Sequence, residues 1–123
     1  MHDDSALVEA RLNRFVRERL QPAIYRATSP LTVTAWVAPG EPVSFAEAVS
    51  HPFTPFEVGE AWGRPWGTVW FHLTGIVPSG WGDAADTRIE VVIDLGFTTD
   101  VPGFQAEGTA YSPDGRLIKG VES

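Results

Sequence analysis

Two periods of apolar residues divide the 123-residue chain. From Ser5 to Gln21 the spacing is helical. Val8, Leu12, Val16 and Leu20 recur every four residues with Phe15 beside them, while Arg11, Arg14 and Glu18 occupy another face. Ser5 is the predicted N-cap. Pro22, which has no backbone N–H, is expected to end the regular pattern. After Pro30 the period changes to two. Leu31, Val33, Ala35 and Val37 alternate with Thr32, Thr34 and Trp36, and this pattern predicts a strand over 31–37.

Four more strands follow from the same reasoning. In Trp66–Val77, residues Val69, Phe71, Leu73 and Val77 share one face, and Trp70, His72, Thr74 and Ile76 share the other. Arg88–Leu95 has Ile89, Val91, Ile93 and Leu95 as its apolar set. Phe104–Tyr111 and Arg116–Val121 flank Ser112-Pro113-Asp114-Gly115, where Pro second and Gly fourth suit a type I turn, so this pair is predicted to form a hairpin. Ser44-Phe-Ala-Glu47 has capping-box spacing and predicts a turn or two of helix. His51–Pro65, with three prolines and two glycines, reads as loop or irregular edge, and Pro78–Thr87 as a Gly/Asp-rich loop. The expected organisation is a helix and lead-in over 1–27 and a mainly β domain over 28–123. Its strands are antiparallel, five to eight in number, in a β-sandwich or jelly roll behind an N-terminal α-helix.

Composition narrows the function classes. There is no cysteine, so disulfides and thiolate metal sites are excluded and a reducing, cytoplasmic setting fits. No signal peptide is recognised at the N-terminus, and no window approaches the roughly eighteen apolar residues of a membrane span. The net charge is −7, unevenly spread: Ser5–Arg26 carries five Arg and two Glu, and Ala27–Ser123 four basic and twelve acidic residues. An acidic body repels a phosphate backbone, which argues against nucleic acid as a partner. The arginines of the first segment read as a solvated helix face with Glu–Arg pairs rather than an anion site.

The chemistry-bearing residues form no catalytic pattern in the sequence. His2-Asp3-Asp4 contains two metal-ligand types in one short segment, but a metal site needs three or four converging ligands, and this one sits at a terminus. His51 and His72 are unrelated by spacing. Glu57, Glu60, Glu90, Asp94 and Glu107 offer carboxylates, yet on an acidic body some pairing is unavoidable, so proximity alone does not make a glycosidase pair. The serines have no nucleophile-elbow context, and the glycines of Trp62-Gly-Arg-Pro-Trp-Gly67 form no phosphate loop. The aromatic stretch Arg64–Gly75 admits two readings: a platform for stacking a sugar ring, or the two faces of an ordinary strand.

Several motifs in order resemble a known family. Pro65-Trp66-Gly67-Thr68 followed by Trp70-Phe71, then Asp94-Leu95-Gly96, Phe104-Gln105-Ala106-Glu107-Gly108 and Gly115–Gly120 resemble the N-terminal region of glycoside hydrolase family 38 α-mannosidases, of the bacterial type related to the fungal vacuolar enzyme. The resemblance covers most of the chain. It implies a galactose-binding-like β-sandwich. It also implies a parent enzyme that hydrolyses terminal α-mannosyl linkages with retention, using a divalent metal, zinc in the usual case, an aspartate nucleophile and a second carboxyl group. Those groups belong to a catalytic domain beyond this region, so no catalytic residue, metal ligand or cofactor is assigned to the chain itself. The implied partners are that catalytic domain, another subunit in a homo-oligomer, and mannose-containing glycans bound by the parent. Trp62, Trp66 and Trp81 are the candidate sugar contacts. Trp36, Trp70 and His72 are the candidate contacts with the rest of the enzyme, which is expected to cover their face.

Overall fold

The computed structural model describes residues 4–96 and 106–122. It divides into two units, one ending at Pro30 and one beginning at Leu31.

The first unit is helical. Helix α1 spans Ser5–Phe15, passes through a π-helical turn at Val16–Leu20 and continues as α2, Gln21–Ile24. Asp4, not Ser5, occupies the N-cap, without a side-chain cap bond, and Ser5 is the first helical residue, so the helix begins one residue earlier than the sequence suggests. The helix also runs two residues beyond Pro22. In an α-helical interior the proline ring would clash with the carbonyl four residues earlier; the wider π turn just before it is where the backbone accommodates that ring. Glu18 pairs with Arg14 at 3.8 Å, and every side chain of the helix is exposed. Exposed pairs of this kind contribute little stability.

The second unit is antiparallel β-structure. Strands β1 (Thr32–Val37), β2 (Thr54–Pro55) and β3 (Val69–Thr74) form a sheet in the order β2-β1-β3, and β4 (Glu107–Tyr111) pairs with β5 (Leu117–Glu122). The β1–β3 register sets Trp36 opposite Trp70, Thr34 opposite His72 and Ala35 opposite Phe71. Directly opposed residues share a face. One face therefore carries Trp36, Trp70 and His72, and the other Val33, Ala35, Val37, Val69, Phe71 and Leu73.

Two local signals give the elements they predict. Ser44 caps the short helix α3 (Phe45–Ala48), its Oγ accepting the Glu47 N–H at 3.3 Å. The hairpin turn is closed by the Gly115 N–H on the Ser112 carbonyl and the Ser112 N–H on the Arg116 carbonyl, both at 2.9 Å. Gly115 has φ +83, and a Cβ there would lie 2.8 Å from the Phe45 ring, so the turn requires glycine for both conformation and space.

The largest departure is at Arg88–Leu95. The alternation predicts a strand, but these residues join no ladder, and Ile89, Val91, Val92 and Ile93 are all exposed. Alternation establishes a face; a strand also needs a neighbour to pair with, and among the described residues 88–95 pair with none. The 66–77 strand is shortened at both ends to Val69–Thr74. Its start is cut off by a turn at Arg64–Gly67. Within the predicted loop 51–65, Thr54–Pro55 adds a short edge to β1. The start of the predicted strand at Phe104 lies outside the described residues.

Candidate functional site

The face bearing Trp70 is closed by rings from this chain. Phe45 of α3 meets Trp70 edge-on at 6.2 Å, Tyr111 of β4 stacks on Trp70 at 5.7 Å, and Phe45 and Tyr111 touch each other at 5.5 Å. Trp36 is stacked on His51, with ring centroids 4.1 Å apart and planes 7° apart. Within this chain α3, β4 and the residues after α3 lay rings on Trp36 and Trp70, both of which stay half-buried. The Trp70 Nε1–H is buried without an acceptor. His72 remains exposed, with Phe53 edge-on at 6.2 Å.

The opposite face is covered differently. Phe56 and Trp62, from the Pro/Gly-rich connection, both pack edge-to-face on Phe71, at 5.1 and 5.2 Å. They close over Phe71 and leave an open cleft of about 350 Å³ beside it, lined by Ala35, Val37, Val69, Phe56, Trp62 and the exposed Glu60.

Beyond that cleft the chain makes its strained turn. Arg64-Pro65-Trp66-Gly67 is closed by the Gly67 N–H on the Arg64 carbonyl at 2.8 Å. Trp66 is its third residue, with φ +62, the one positive φ at a non-glycine among the described residues. Proline second and positive φ third give the turn type II character, a position that favours glycine. A bulky residue there costs roughly 1–2 kcal/mol. The turn is nonetheless firmly held. The Arg64 guanidinium donates to the Pro39 carbonyl at 3.1 Å, and the Ala38 N–H bonds the Thr68 carbonyl at 3.0 Å. The Trp66 indole is fully exposed, at 103%.

The three candidate sugar contacts therefore occupy three settings. Trp62 lines the cleft, Trp66 stands out on the strained turn, and Trp81 is half-buried in the 78–87 loop, its N–H bonded to the Pro78 carbonyl at 3.2 Å. The cleft's other walls, Phe56 and Glu60, carry no motif in the sequence; the density of prolines and aromatics in 51–65 is the one signal that marks them.

Among the described residues no group of three His, Cys, Asp or Glu side chains is placed to hold a metal ion, so a catalytic metal does not fit them. His2 and Asp3 lie outside the described residues. Glu90 is paired with Arg88 at 3.7 Å. Asp114 is the carboxylate visibly perturbed by its surroundings. The Ser112 hydroxyl, and then its own backbone N–H, hold it below the usual carboxylate range. That places it in the hairpin turn, where it is structural. No described helix is long and apolar enough to cross a membrane.

After the helical unit, the second unit is mainly β, two antiparallel sheets whose Trp70 and Tyr111 rings meet. Residues 29–123 match the family described as the jelly roll domain of alpha-mannosidase, and the chain belongs to that family. It is similar to alpha-mannosidase G of Dictyostelium discoideum, 33% identical over 70 residues and 56% of this chain. It is also similar to the human alpha-mannosidase 2C1, 31% identical over 62 residues and 50% of this chain. In each case the match spans 6% of the relative's length. No solved structure matches the chain.

Proposed function

We propose that this chain is the accessory domain of a metal-dependent, retaining α-mannosidase, and that the chain alone is non-catalytic. The observation that carries the reading is the match of residues 29–123 to the alpha-mannosidase jelly roll family. In this reading the parent enzyme removes terminal α-mannosyl residues in the cytoplasm. Its nucleophile, acid/base carboxyl group and divalent metal, zinc by resemblance, reside in a catalytic domain against which this one packs. His72, exposed at the end of the aromatic face, belongs to that contact, as do the outer edges of Trp36 and Trp70. The isolated chain then releases no nitrophenol from an aryl α-mannoside, whereas the full-length parent does so, with α-mannose as the first product. Turnover by the pure chain, or a full-length protein inactive on every α-mannoside tried, overturns the reading.

The exposure of Trp66 and the open cleft beside Trp62 favour a second reading, a carbohydrate-binding module of weak mannoside affinity. It predicts a saturable change in tryptophan fluorescence as methyl α-mannoside is raised through the millimolar range, lost in Trp62→Ala or Trp66→Ala. A flat titration removes it.

A further inference from the structure

We infer that the cleft beside Trp62 is a binding site for a guanidinium cation, the group carried by an arginine side chain or by a small guanidinium compound. The Glu60 carboxylate pairs with the cation, and the Trp62 indole stacks on its plane.

Three observations lead there. The first is charge. Glu60 is the one charged residue in the cleft lining, and among the described residues no cation pairs with it. Arg64 is the nearest arginine in sequence, and its guanidinium donates to the Pro39 carbonyl instead. Ala27–Ser123 carries twelve acidic residues against four basic ones, a field that draws cations to the surface and repels anions.

The second is the balance of hydrogen-bonding groups. Pro52 and Pro55 bring no N–H to the lining. The Phe56 N–H donates to the Val33 carbonyl, the Glu60 N–H to the Glu57 carbonyl, and the Thr54 hydroxyl to the Ala35 carbonyl. These donors are engaged while the Glu60 carboxylate is not. Such a lining suits a ligand that donates and does not accept, which is the character of a guanidinium. A sugar hydroxyl both donates and accepts, so it is served less well.

The third is the ring. Trp62 meets Phe71 edge-to-face, with centroids 5.2 Å and planes 89° apart. Phe71 therefore occupies at most one face of the indole. Tryptophan is the strongest of the aromatic side chains in attracting a cation to its face. Glu60 and Trp62 are two residues apart and line the same space. A guanidinium lies flat on an indole and presents its fork to a carboxylate at the same time; an ammonium is compact, more strongly hydrated and gains less in an open cleft. A cavity of roughly 150 Å³ already admits benzene, so the cleft of about 350 Å³ holds the planar group and the start of its stem.

The inference uses no catalytic domain and no mannosyl linkage, so its failure and that of the mannosidase reading are told apart. NMR titration of the 123-residue chain with N-acetylarginine amide tests it. Saturable shifts are expected at the Trp62 indole and at the Ala61 and Gly63 amides, in the millimolar range. N-acetylcitrulline amide, of the same shape without the charge, is expected to bind about ten-fold more weakly, and N-acetyllysine amide about three-fold more weakly. Glu60→Gln, at an exposed position that leaves the fold intact, is expected to weaken the arginine amide about five-fold, as loss of an exposed ion pair does. A neutral heptapeptide with one central arginine separates the sources. Tighter binding than the amide identifies a polypeptide ligand, and equal or weaker binding a small guanidinium compound. No shift at these groups up to about 20 mM arginine amide overturns the proposal. So does a citrulline or lysine analogue that binds as well as arginine, a Glu60→Gln chain that binds like the wild type, or displacement of the arginine amide by an equal concentration of methyl α-mannoside.

Discussion

The two faces of the β2-β1-β3 sheet are built from alternate residues of the same two strands, and they end in opposite conditions. On one, Trp36 and Trp70 are matched ring for ring by His51, Phe45 and Tyr111. On the other, Phe71 receives two rings, while Ala35, Val37 and Val69 line an open cleft. The difference lies in what closes each face. The aromatic face is closed by α3 and the β4–β5 hairpin, elements held by their own hydrogen bonds. The aliphatic face is closed by an irregular connection rich in proline, which braces two aromatic side chains without filling the remaining space. Stability is concentrated where ring meets ring, and accessible apolar surface where a loop substitutes for an element.

Trp70→Ala tests this contrast most severely. It removes the ring shared by three elements and is expected to cost about 3 kcal/mol in urea unfolding. Phe71→Ala, across the same strand, is expected to cost about 2 kcal/mol, because its face is already open and the connection can settle inward. Equal losses would break the distinction between the faces. Gly115→Ala comes next, at about 1–2 kcal/mol. It imposes positive φ on alanine and brings a methyl group against Phe45, so the hairpin and the ring cluster loosen together. Near-ultraviolet circular dichroism of the aromatic cluster reports that directly.

Trp66→Asn has the opposite sign. It relieves the strained turn without removing a packed side chain and is expected to raise stability by about 0.5 kcal/mol. A measurable loss would show that the indole is packed, and would shift weight from presentation to core.

The smallest effect concerns Asp114. Its carboxyl is held below the ordinary range by the Ser112 hydroxyl and its own backbone N–H. A group depressed on folding stabilises above its unfolded pKa, and that contribution disappears as pH falls through the depressed value. The hairpin is therefore expected to loosen only in acid, below the usual carboxylate range. Asp114→Asn should remove this acid step and lower neutral-pH stability slightly, by the contribution the ionised carboxylate makes there. Carboxyl chemical shifts followed by NMR titration check both parts; an Asp114 titrating at the ordinary position would refute the assignment.

What was legible beforehand follows the range of the interaction. Ser44 and Glu47 are three residues apart, and the capped turn they predict is present. Ser112 to Gly115 form a turn bounded by their own hydrogen bonds, and the hairpin follows. The alternation in 31–37 and 69–74 correctly divides the side chains into two sets. The same alternation in 88–95 yields no strand, because pairing depends on an edge that a segment cannot supply for itself. The candidate site was half legible. Trp62 and Trp66 stand out as tryptophans beside glycine and proline. Glu60 and Phe56 acquire a role only through the cleft, and the positive φ of Trp66 contradicts what a bulky side chain prefers.

The sequence by itself determined a helical lead-in, antiparallel strands and a hairpin, which rest on period, capping and turn chemistry acting over a few residues; its motifs, by resemblance, also placed it beside the alpha-mannosidase family. Only the tertiary structure decided which face is closed and by what, that Trp66 stands exposed while Trp70 is packed, and that a cleft opens beside Trp62. Each of these depends on contacts between segments tens of residues apart, such as Phe45 with Tyr111 or Trp36 with Trp70. Local propensity carries no information about such contacts, because their energy exists only once the chain has brought both sides together.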